Sequence, residues 1–96
     1  MKNQSTQINL ELPDEVFEGT YANIVIIMSS PAEFVLDFAR IVPGKPKAKI
    51  KSRVIIPPQT AKKMVKILED RIKDYENRFG DIKIEAEDKN IIGFQN

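Results

Sequence analysis

Between Pro57 and Gly80 the hydrophobic period of the chain lengthens from two residues to about three and a half, and this switch constrains the fold more than any other feature. Ala61, Val65, Leu68, Ile72, Tyr75 and Phe79 recur at intervals of 4, 3, 4, 3 and 4, the spacing of one helical face. Met64 and Ile67 widen that stripe. Pro58 suits a first helical turn, where its missing N–H would have no partner in any residue. Gly80 can take the left-handed conformation that closes a helix. The pattern predicts one long amphipathic helix over Pro58–Phe79. Lys66–Asp70 and Glu69–Lys73 stand at i,i+4 on its flank, pairs worth about 0.3 kcal/mol each on an exposed helix. A stripe of this width commonly covers a domain's own sheet, whereas the 4-3 spacing also suits a seam between two copies. The sequence leaves both open.

Upstream the period is two. Ile8, Leu10 and Leu12 alternate with polar residues and predict a first strand, ended by Pro13 and followed by an acidic turn at Asp14, Glu15 and Glu18. Thr20–Ser29 predicts a second strand, Glu33–Ile41 a third and Lys47–Ile56 a fourth, separated by Ser29–Ala32 and by Pro43–Pro46. A short fifth strand is allowed over Asp81–Glu85. The expected fold is therefore α+β: an antiparallel four-stranded meander followed by one long helix, in a single domain over residues 1–96 with flexible tails at 1–6 and about 86–96. Ile24, Val25, Ile26 and Ile27 put apolar side chains on both faces of their strand, so both faces need cover. One helix covers only one. A second copy of the chain is the expected partner, with Ile24, Val25, Ile26 and Ile27 and the helical Val65, Leu68, Ile72 and Tyr75 as self-association candidates and a homodimer as the first size to test.

The 96 residues contain no cysteine and no histidine. That removes thiolate nucleophiles, disulfides, imidazole bases and the commonest metal ligands. The acidic turn lacks the alternating spacing and glycine of a calcium loop, and no glycine-rich phosphate loop is present. Glu33 and Asp37 would stand about 13 Å apart on a strand, too far to share a proton. No catalytic residue, metal site or cofactor is expected, and no enzyme. The longest apolar run, Ile24–Met28, falls far short of the roughly 20 residues of a membrane span, and residues 1–7 carry no apolar signal segment. The expected setting is soluble and cytoplasmic.

Charge is segregated along the chain although the net charge is only +1. Between Asp37 and Glu69 there is no acidic residue, while nine of the fifteen lysines and arginines lie there. Strict alternation would set Lys47, Lys49, Lys51 and Arg53 in one row on a strand face. Lys62, Lys63 and Lys66 occupy the first turns of the helix, where the macrodipole disfavours cations. Together with Arg40 these residues form a candidate anion or nucleic-acid surface. The competing reading is an edge guarded by lysine against aggregation, or a row facing the acidic segments of a second subunit. No aromatic residue interleaves with the row, so the stacking typical of single-strand recognition is missing.

Several blocks carry a family likeness: Ser30–Arg40, Ser52–Pro57, Ala61–Lys62, Tyr75–Glu76 and Phe79–Gly80. Over about residues 20–82 they resemble a bacterial family of small stand-alone proteins catalogued as domain of unknown function 3467. The resemblance implies a small soluble protein and supplies no catalytic residues. A looser likeness, in topology alone, is to the export chaperone SecB, which implies a groove for an apolar client near Phe34, Phe38 and the Ile91–Phe94 tail, unless that tail packs on the chain's own core, the reading favoured here.

Overall fold

The computed structural model of the protein describes residues 7–84 and the backbone of 91–93. Its elements are α1 (Asp14–Phe17), β1 (Ile24–Ser29), β2 (Phe34–Arg40), β3 (Lys49–Ile56), α2 (Pro58–Phe79) and β4 (Ile91–Gly93). Three strands form an antiparallel meander, β1 to β2 to β3, and β4 adds to the free edge of β1 in parallel, giving the order β3-β2-β1-β4. The α+β class and the long helix agree with expectation.

The first predicted strand does not form. Residues 7–13 are exposed and pair with no strand among the described residues, and the acidic turn after them is the single helical turn α1. Alternation at Ile8, Leu10 and Leu12 makes a strand possible, but a strand exists only where a ladder receives its N–H and C=O groups. Asp14 and Glu15 favour helix instead, lying at the positive end of its first turn. Residues 81–84 form no strand either. The tail strand is β4, further on and parallel, so an antiparallel four-stranded meander and the SecB-like topology do not follow from this arrangement. The tails expected to be flexible lie outside the described residues, apart from β4.

Local chemistry sets the hairpins. Between β1 and β2 the Ser30 hydroxyl accepts hydrogen bonds from the amides of Ala32 (3.2 Å) and Glu33 (3.3 Å), a side-chain substitute for a backbone turn. Beyond the other end of the pair, Asn23 continues the ladder with its side chain: Oδ1 accepts from the Ile41 amide at 2.8 Å and Nδ2 donates to the Ile41 carbonyl at 3.2 Å.

Little of the chain is buried. The core consists of Ile24, Leu36, Ala39 and Ala61, with Asp37 as the one buried charged residue among those described. The chain exposes 8915 Å², whereas a compact fold of 10.9 kDa exposes about 5,600 Å². Its radius of gyration is 16.6 Å, against about 12.5 Å for a compact domain of this length.

Helix α2 adds to this exposure. Its first residue follows the last residue of β3 with only Pro57 between them (φ −71°, ψ 160°). Connections of two to six residues are usual where a helix turns back onto a sheet. One proline, followed by a second, cannot make that reversal, because both φ angles are fixed and the residue before a proline is held extended. The helix consequently runs off the sheet, and within it only Ala61 is buried. Of the two roles open to the stripe, covering the chain's own sheet is not the one it plays.

Candidate functional site

Two surfaces stand out, and the first is basic. Val42, Pro43, Gly44 and Lys45 form a turn with proline at its second position, glycine at φ +88° at its third, and the Lys45 amide bonded to the Val42 carbonyl at 3.0 Å. These are the marks of a type II turn, which needs glycine at the third position. The turn folds the β2–β3 connection over the start of β3. It leaves an open cup of about 380 Å³ whose charged lining is Arg40, Lys45, Lys47, Lys49 and Lys51, with no carboxylate among the described residues. The Arg40 guanidinium carbon lies 5.1 Å from the centre of the Tyr21 ring, a cation–π contact.

The cup draws together only part of the predicted basic surface. Ser52 pairs with Phe38, and Ile50 with Ala39, leaving Lys51 as an extra residue without a partner in β2. This β-bulge shifts the phase of the strand. Lys49 now stands opposite Arg40, whereas Arg53 stands opposite Asp37 on the other face. The expected single row is therefore split, and Lys47 lies before the strand rather than in it. Lys62, Lys63 and Lys66 are separated from the cup by the length of β3, about 24 Å at standard rise. Lys45 is one of the nine cations of the acid-free segment but lies outside the predicted basic surface; its place in that segment was the available signal.

Arg53 is committed elsewhere. Its Nε donates to Asp37 Oδ1 at 2.7 Å and its Nη2 to Oδ2 at 2.9 Å, a forked pair with the carboxylate almost wholly buried and the guanidinium half exposed. The hydrogen bond from Arg53 lowers the Asp37 carboxyl below its ordinary value, against the opposing effect of burial. The same bond raises the Arg53 guanidinium. Such a pair carries structure rather than catalysis, since neither group titrates near neutrality.

The second surface is apolar. Val65, Leu68, Ile72, Tyr75 and Phe79 are all exposed along α2, Phe79 to 71%. The Tyr75 and Phe79 rings meet at a tilt of 49°, with 5.0 Å between centroids. On the sheet, Ile24 is buried within its own chain, Val25 and Ile26 are half-buried, and Ile27 is exposed. The expected flank pairs Lys66–Asp70 and Glu69–Lys73 are not made; the ion pair on α2 is Asp74–Arg78, at 3.5 Å.

A family profile described as protein of unknown function (DUF3467) matches residues 1–84. The chain belongs to this family. No curated protein and no solved structure matches it. In this member of the DUF3467 family, the matched stretch holds the whole cup, the bulged strand and all of α2. No helix among the described residues is long and apolar enough to cross a membrane. No group of three acidic residues among them is placed to hold a metal ion.

Proposed function

We propose that the protein is a non-enzymatic interaction module that works as a self-associated assembly, with α2 as its main contact. The observation that carries this reading is the uncovered stripe of α2, held off the sheet by a one-residue proline connection. Val65, Leu68, Ile72, Tyr75 and Phe79 lie exposed along that stripe. Large apolar patches of this kind on soluble proteins mark interfaces. Sedimentation equilibrium of the full chain from low to high micromolar concentration tests the reading: a dimer or larger species is expected, and a monomer throughout overturns it.

A second reading rests on the basic cup. Five cations around one concavity, with no carboxylate among the described residues of its lining, suit the phosphates of a nucleic acid. Titration of labelled single- and double-stranded DNA and RNA at several salt concentrations tests it. Affinity falling with salt at a slope of roughly −0.7 to −0.9 per neutralised phosphate supports the reading, and no binding at low salt removes it.

A further inference from the structure

We infer that α2 pairs with α2 of a second copy as a parallel, in-register two-stranded coiled coil, fixed in orientation by ion pairs between Arg71 of one chain and Glu76 of the other. The inference rests on self-association through α2 and specifies its geometry.

The 4-3 spacing assigns each residue a heptad place. Val65, Ile72 and Phe79 fall at a; Ala61, Leu68 and Tyr75 fall at d, with Ala61 already buried in its own chain so that the seam runs from Val65 onward. β-Branched residues at a with leucine at d favour two parallel strands, and here Val65 and Ile72 flank Leu68 in that pattern. The flanking places discriminate further. Met64, Arg71 and Arg78 lie at g, and Lys62, Glu69 and Glu76 at e. In a parallel pair each g residue meets the e residue five positions on in the partner, so Arg71 meets the partner's Glu76, twice by symmetry. An antiparallel pair sets g against g and e against e, bringing Arg71 to Arg71 and Glu69 to Glu69 when the helices overlap about their middle, and setting Lys62 against the partner's Glu76. The parallel pair gains its two attractive contacts without the two like-charge contacts of the antiparallel one, so the balance of charge favours the parallel orientation.

The side chains are already placed for it. Arg71 makes no ion pair within its own chain among the described residues. Glu76 is half-buried, and its Oε2 accepts the Ile82 amide at 2.9 Å. That bond holds the carboxylate while Oε1 stays open to a second donor. Ile67, at the outer c position, remains outside the seam.

The native chain has no cysteine, so a single introduced thiol reports its own neighbourhood. In a parallel pair identical d residues face each other, so Tyr75→Cys is expected to form a disulfide-linked dimer on mild oxidation, and Lys73→Cys, on the outer face, is not. In an antiparallel pair centred near residue 70, the two residues at position 75 lie about 15 Å apart along the axis and do not link. As a second measurement, Arg71→Glu and Glu76→Arg each weaken the dimer at low salt, and the double variant recovers most of the loss. A dimer by sedimentation in which Tyr75→Cys fails to link, or links no faster than Lys73→Cys, overturns parallel pairing and leaves self-association standing. A monomer at high micromolar concentration overturns both.

Discussion

Replacing Leu68 with alanine tests whether the helix stripe is a contact surface, because alanine keeps the helix while removing the contact. Alanine has the highest intrinsic helix propensity, so α2 itself is expected to persist. Leu68 is 54% exposed in the single chain. Full burial of a leucine side chain is worth about 1.5–3 kcal/mol, so completing it contributes about 0.8–1.6 kcal/mol per chain. A symmetric dimer contains two such residues, which makes the loss about 1.6–3.2 kcal/mol. At 1.4 kcal/mol per decade, the dissociation constant of the L68A dimer rises about 15- to 200-fold. Sedimentation equilibrium at matched concentrations measures this, and far-ultraviolet circular dichroism confirms that the helix remains. A wild-type dimer whose L68A variant dissociates within about threefold of the same constant refutes the placement of Leu68 in the seam.

Three further outcomes are expected. Lys47→Glu with Lys49→Glu reverses two charges in the cup, and any salt-dependent binding of DNA or RNA, measured by fluorescence anisotropy, is lost while the dimer is retained. For Asp37, the folded-state carboxyl lies below its ordinary value of 3.8 because Arg53 donates to it; its contribution is thus present above the unfolded value and lost as pH falls through the folded one. Thermal melts from neutral to strongly acid pH should show a decline setting in below about pH 4, and Asp37→Asn should lower stability at neutrality while flattening that decline. Gly80 adopts φ 97° and ψ 169°, a region open essentially to glycine alone. Although a Cβ there would meet no atom within 4 Å, Gly80→Ala should destabilise by about 1–3 kcal/mol through backbone strain, read as a lower melting temperature.

The parts legible in the sequence were those decided locally. Pro58 and Gly80 bracket α2 to the residue, and the antiparallel order of Ile24–Ser29, Phe34–Arg40 and Lys49–Ile56 follows from short turns and alternating side chains. The parts that were not legible depend on partners or on phase. Ile8, Leu10 and Leu12 have a strand's alternation but no neighbouring strand to bond with. Parallel addition of β4 to β1 joins segments far apart in sequence, and no local pattern marks it. The basic row failed through one unpaired residue: counting by twos from Lys47 to Arg53 assumes an unbroken ladder, and the bulge at Lys51 sends Arg53 to Asp37. The same count missed Lys45, brought into the cup by the positive φ of Gly44 rather than by any strand.

The proline at position 57 also has a mechanical consequence. A helix joined to its sheet through one stiff residue transmits orientation as well as position, so two chains zipped in parallel would carry their sheets at one end like the jaws of a calliper. Both cups would then open at a separation set by the hinge-free joint. A polyanion whose phosphates match that gauge would engage the second jaw at high effective concentration once the first is seated. One of the wrong span would gain nothing from the pairing.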